Sequence, residues 1–262
     1  MKKFISIICV IALIGSLGYI ASYYIKKNIA EKAYEEMREM TTSEQTETVQ
    51  EDVITKEEPM AEVQEVKEPV EIPIDFASLK ERNNDIYAWI TIPGTKVDYP
   101  ILQKPENDSY YLDHTVDGVE GLPGAIYTES IHNQEFTESN TVIYGHNMKD
   151  DSMFGSLHDY EKVDFFRENR DVFIYTPEHI YTYEIFAAVT YSDAYIPFAY
   201  DFTTDEGYQE FLDSIYDSKN MTNQFAEDVE VTTGDCIITL STCIGNKPNN
   251  RYLVLAVLKD VQ

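Results

Sequence analysis

One thiol carries most of the chemistry that this sequence offers. Thr239-Leu240-Ser241-Thr242-Cys243 continues the apolar, β-branched run Asp235-Cys236-Ile237-Ile238, which predicts a buried strand with Cys243 at its mouth. Ile244-Gly245-Asn246-Lys247-Pro248-Asn249-Asn250 has the composition of a loop. Arg251 to Leu258 then predicts a second strand, with a guanidinium at its start. A thiol can attack a carbonyl, and a cation beside it can hold the oxygen that becomes negative, so the pair suits covalent acyl transfer. The competing reading is that Cys243 is a small core hydrophobe.

A thiol nucleophile needs a base or an ion-pair partner, most often histidine. His114, His132 and His179 sit in loop or turn contexts with polar neighbours, where a solvated role is expected. His158 lies in a helical run and reads as surface or packing. His146 differs, because Thr141-Val142-Ile143-Tyr144 reads as a strand and Gly145 lets the chain turn straight after it. That places His146 at a strand end, the same kind of rim position as Cys243. Residue chemistry alone leaves its partnership with the thiol open.

The other cysteines bear on the question. Cys9 lies in an apolar stretch, which leaves Cys236 and Cys243 in the body of the chain. Along one strand they would stand roughly 23 Å apart at about 3.3 Å per residue. A disulfide needs Cα atoms within about 7 Å, so the strand reading predicts two free thiols.

The elements around these residues divide the 262-residue chain unevenly. Phe4 to Ile25 carries no charge and is flanked by Lys2-Lys3 and Lys26-Lys27, which predicts a transmembrane helix, with a cleaved signal peptide as the alternative. On that reading residues 1–3 are cytoplasmic, 4–25 form the anchor, and the body faces outward as a single-pass membrane protein. Residues 26–72 read as a juxtamembrane helix followed by an acidic, disordered stalk. The net charge of −27 argues against a nucleic-acid partner, since a polyanion would be repelled.

From residue 73 onward the pattern is mostly β. Strands are expected at Tyr87–Ile92, Val97–Leu102, Ala125–Thr128, Thr141–Tyr144, Val172–Tyr175, Ile180–Thr190, Val229–Val231, Cys236–Ser241 and Tyr252–Leu258. Helical patterns interrupt at Met153–Arg167 and Asp205–Lys219. Many short strands with few helices suggest a closed or nearly closed barrel, which removes exposed edges.

Several segments together resemble the class B sortases, the membrane-anchored cysteine transpeptidases of Gram-positive cell surfaces. They are Trp89-Ile90-Thr91-Ile92-Pro93-Gly94-Thr95, Asp98-Tyr99-Pro100-Ile101-Leu102-Gln103, Tyr110-Tyr111-Leu112, Tyr144-Gly145-His146-Asn147-Met148, Met153-Phe154-Gly155-Ser156-Leu157, and Thr239 to Cys243 with Arg251. The similarity spans about residues 75–258. It implies a sortase-type eight-stranded β-barrel with peripheral helices. It also implies Cys243 as nucleophile, His146 as general acid/base and Arg251 as oxyanion and substrate-orienting cation. Attack after threonine in a C-terminal sorting motif would give a thioacyl-enzyme, resolved by an amine of a peptidoglycan precursor or of another surface protein such as a pilin.

Ser241 and Thr242 are candidates for lining the substrate cleft, although strand hydroxyls are more often structural. No cofactor is expected. Asp150-Asp151 reads as a solvated pair and no metal is assigned to it. Two rivals stand beside the transpeptidase: a cysteine peptidase that hydrolyses the same intermediate, and a non-catalytic module whose cysteine is core.

Overall fold

The computed structural model describes residues 2–42 and 70–262. Its centre is a closed ring of strands. β1 (Ile86–Thr91) turns through Gly94, whose φ of 81° favours glycine, into antiparallel β2 (Asp98–Leu102). The Asp98 carboxylate ties this hairpin by accepting from Trp89 Nε1 at 2.8 Å and Thr91 Oγ1 at 2.9 Å. β3 (Ile126–Tyr127) joins β2 in parallel, and β4 (Asn140–Tyr144) joins β3 antiparallel. β5 (Asp171–Tyr175) pairs with both β1 and the long β6 (Ile180–Ser192), which closes the ring. β7 (Gln224–Phe225) adds to β6 as a short appended strand. β8 (Ile237–Ile244) lies parallel to β4, and β9 (Lys247–Val261) runs antiparallel between β8 and β6. Eight strands form the barrel.

Alternation along β9 explains why this strand reads as one apolar run. Tyr252, Val254 and Ala256 point into the barrel core with Trp89, Ile101, Ile126, Ile143 and Leu240. Leu253, Leu255 and Val257 point outward, where a second core covers them. That second core is supplied by α6 (Asp205–Tyr216), whose Tyr208, Phe211, Leu212 and Ile215 form one buried face. Thr204 caps the helix, its hydroxyl accepting from Gly207 N at 3.1 Å.

The remaining helices are α1 (Lys2–Thr42), α2 (Phe76–Arg82), α3 (Tyr110–Asp113), α4 (Val163–Glu168) and α5 (Ile196–Ala199). The structure corrects the anchor expectation at α1. Among the described residues, no helix is long and apolar enough to cross a membrane. Further along α1, Ala30, Ala33, Tyr34 and Met37 are buried, the last three in the barrel's own core cluster. The N-terminal transmembrane helix, the membrane as a partner through it, and single-pass localisation therefore lose their support. The helix expected over the first part of 26–72 is present and docks on the barrel, and the stalk expectation at 43–69 lies outside the described residues.

Three local expectations also change. Val229–Val231 is not a strand; Gln224–Phe225 takes the edge position on β6 instead. Met153–Arg167 is not one helix but a 3₁₀ turn at Gly155–Glu161 followed by α4, with the break at Lys162 in extended conformation. Ile244–Asn250 is not a loop, since β8 ends at Ile244 and β9 starts at Lys247.

Candidate active site

Strand register brings the sequence candidates together. β4 and β8 run parallel with Tyr144 opposite Ser241, so two residues further along each chain His146 falls level with Cys243. On the other side of β8, Cys243 pairs directly with Arg251 of β9. His146, Cys243 and Arg251 line one cleft of about 210 Å³, together with Leu112, Tyr127, Tyr144, Gly145, Ser241 and Thr242. Cys243 is exposed, while His146 and Arg251 are half-buried. A core role for the Cys243 sulfur is thereby ruled out.

Gly145 is required for a different reason from the one its position in the sequence suggests. A Cβ there would lie 2.5 Å from Ile126 Cδ1 and 2.7 Å from the Phe154 ring, so only glycine lets the chain leave β4 this close to the core. Gly145 N donates to Ser241 O at 3.2 Å, extending the β4–β8 pairing toward His146. His146 Nε2 is 2.5 Å from the carbonyl of Leu112. A carbonyl only accepts, so Nε2 carries a proton and Nδ1 is the nitrogen left free to exchange one.

Arg251 is held by its own strand. Its Nη1 donates to the carbonyls of Pro248 and Asn250, each at 2.9 Å, across the bulge where Cys243 pairs with Arg251 but Ile244 pairs with Lys247. Among the described residues it has no carboxylate at ion-pair distance, which leaves its charge unneutralised at the cleft. Ser241 and Thr242 are buried at the floor, and Thr242 Oγ1 has no hydrogen-bond partner.

Aromatic side chains wall the cleft. Tyr127 and Tyr144 stack with ring centroids 5.4 Å apart, and burial raises both phenols well above the ordinary tyrosine range, so they stay neutral. Tyr144 leads to Glu129, which accepts from Tyr195 at 2.5 Å. Burial lifts the Glu129 carboxyl above its ordinary value, against the opposing bond from Tyr195.

Two residues that the sequence reading left aside also reach the site. Asn147 Nδ2 donates to the carbonyl of Cys243 at 2.9 Å, and His158 Nε2 lies 3.1 Å from the same oxygen. His132, expected in a solvated role, is instead buried between Glu138 and Val142 N. All three cysteines are free. Cys236 is half-buried, and its thiol is raised by burial and then by Asp235. Among the described residues no group of histidine, cysteine, aspartate and glutamate side chains is arranged to hold a metal.

A ring of eight strands with cysteine, histidine and arginine gathered at one rim defines a class of thiol acyltransferase. The sequence model of the sortase domain matches residues 90–259. Sortase B of Listeria monocytogenes is 36% identical over 175 residues, covering 66% of this chain and 68% of that protein. Sortase B of Staphylococcus aureus is 33% identical over 189 residues, covering 71% and 75%. A crystal structure of sortase B from Bacillus anthracis superposes with a TM-score of 0.69 at 30% identity, covering 90% of this chain and 98% of that one. The chain belongs to the sortase family and is of the class B type. It is a cysteine transpeptidase, which cleaves a sorting motif through a thioacyl intermediate and transfers the acyl group to an amine.

Proposed function

We propose that Cys243 is the nucleophile of this transpeptidase, that His146 exchanges protons with the leaving and entering amines, and that Arg251 holds the developing oxyanion. One observation carries the assignment: the register of β4, β8 and β9 aligns these three residues at one rim. With its thiol proton held on His146, the Cys243 thiolate attacks the carbonyl carbon after threonine in the sorting motif, and the oxygen gains negative charge beside Arg251. The scissile C–N bond breaks as His146 delivers a proton to the departing amine, leaving a thioester on Cys243. An incoming amine loses its proton to His146, attacks the thioester and expels the Cys243 thiolate, so atoms and charge balance over the cycle. Ser241 and Thr242 form the cleft floor against which the motif backbone lies. The acceptor is an amine of a peptidoglycan precursor or of a second surface protein.

Transfer rather than hydrolysis requires that the amine reach the thioester before water does. The neutral, stacked tyrosines Tyr127 and Tyr144 give the cleft an apolar wall consistent with that demand. The test is product analysis by mass spectrometry with a peptide library that fixes threonine at the cleaved position. Added triglycine or lysine peptides are expected to shift the product from free acid to amide. Products indifferent to the amine would identify a hydrolase and overturn the transfer reading.

A further inference from the structure

We propose that His158, backed by Glu161, is a positioning residue for Cys243, acting through the backbone carbonyl of the nucleophile. The proposal rests on the nucleophile assignment above. The β8–β9 register shifts directly after Cys243, between it and Ile244, so the Cys243 carbonyl lies at the irregularity. Two side chains from elsewhere in the sequence reach that carbonyl. Asn147 follows His146 directly and donates to Cys243 O at 2.9 Å. His158, from the 3₁₀ turn, places Nε2 3.1 Å from the same oxygen and 3.0 Å from Asn147 Nδ2.

The rest of the His158 ring is fixed. Its Nδ1 lies 2.8 Å from Glu161 Oε1, and its face stacks on Tyr252 with centroids 4.7 Å apart. A carboxylate only accepts, so Nδ1 carries a proton. If Nε2 is bare, Asn147 uses one amide hydrogen on the ring and the other on the Cys243 carbonyl. If Nε2 is protonated, the ring itself donates to that carbonyl. In both forms His158 determines where the donors to Cys243 point. Because Asn147 adjoins His146, the same clamp fixes the nucleophile relative to its acid/base. A few tenths of an ångström at such a pair is felt in the chemical step rather than in substrate affinity.

The test uses the full chain, the threonine-fixed fluorogenic peptide library, and kcat and KM measured separately. His158→Ala is expected to lower kcat by about tenfold with KM within about twofold, the size of effect that follows from losing one oriented hydrogen bond. His158→Gln, which retains an amide that can donate or accept near the Nε2 position, is expected to recover to within about threefold of wild type at an unchanged melting temperature. Asn147→Ala should lose kcat as well, and the double variant should lose less than the product of the two single losses. Full kcat in His158→Ala, or equal losses in the alanine and glutamine variants alongside a lowered melting temperature, would overturn the clamp. Intact-mass mapping of the acyl adduct separates the two levels: an adduct on Cys243 with unaltered His158 variants defeats the clamp alone, whereas no adduct on Cys243 defeats the nucleophile assignment beneath it.

Discussion

The two ends of β8 each present a cysteine, and they differ in everything except the thiol. Cys236 precedes the strand, half-buried, with Sγ 3.7 Å from Thr137 O and its ionisation opposed by burial and by Asp235. Cys243 stands at the other end, exposed in a cleft with His146 on one neighbouring chain and Arg251 on the other. A thiol becomes a nucleophile through what surrounds the end of its strand, since the thiolate is the reactive form and needs positive or proton-accepting neighbours. The strand itself contributes the spacing that keeps the two from forming a disulfide.

The most severe break in that comparison is Cys243→Ala. It is expected to remove peptide processing down to the uncatalysed background, because no other group in the cleft can form the thioester. Cys236→Ala should stay within about twofold of wild type in the same assay, as its side chain lies outside the cleft. Equal losses from both would erase the distinction between the ends. Alkylation by iodoacetamide gives a direct readout, with Cys243 modified in the native protein and Cys236 only slowly until the chain is unfolded.

Next in size are the two flanking residues. His146→Ala is expected to lower kcat by about 10²–10⁴-fold, the range of general acid–base contributions. Arg251→Ala should cost about 10²–10³-fold, as for loss of an oxyanion donor. Both should leave the far-ultraviolet circular dichroism unchanged, because neither side chain is in the apolar core. Arg251→Lys sharpens the point: its charge survives but the planar fork does not, so partial recovery would assign Arg251 to charge and no recovery to geometry.

The reactive end of β8 was largely legible in the sequence, for identifiable reasons. The run Ile237 to Leu240 is β-branched and apolar because both faces of the strand are covered, so it announces a strand without ambiguity. His146 and Cys243 each follow such a run, and strand ends gather at barrel rims. The continuation past Cys243 was not legible. Lys247, Pro248, Asn249 and Asn250 have turn chemistry, yet β9 includes them, with Lys247 paired to Ile244 of β8 and Asn250 to Ser192 of β6. Tertiary pairing overrides local propensity there. Gln224–Phe225 likewise carries no strand signal and exists through pairing with Ala187 and Ala188. His158 was missed because its contact with Cys243 crosses 85 positions of sequence. The segment before Lys26 reads as an anchor by its lack of charge, yet among the described residues no helix is long and apolar enough to cross a membrane.

The docked helix offers the smallest effects, and they test how far the reactive end depends on remote support. Tyr34 of α1 donates to Gly124 O at 3.0 Å in a buried setting, and a Cβ on Gly124 would lie 3.0 Å from His146 Cδ2, so this contact stands directly behind His146. Tyr34→Phe leaves that carbonyl without its donor and is expected to cost about 1–2 kcal/mol by thermal melting. A weaker tie joins Lys27 to Asp150 in the loop that leaves His146. Burial opposes ionisation of Asp150, but the bonds from Lys27 and Ser152 outweigh it and bring the carboxyl down to about 2. A carboxyl lowered in the folded state stabilises above its unfolded value near about 3.9, and that contribution fades as pH falls toward about 2. The stability difference between wild type and Asp150→Asn should therefore be present at neutral pH and shrink through that acidic window. A difference that stays constant from pH 7 to pH 2 would mean the Lys27 contact contributes packing alone. In that case α1 supports the loop behind His146 without any electrostatic link.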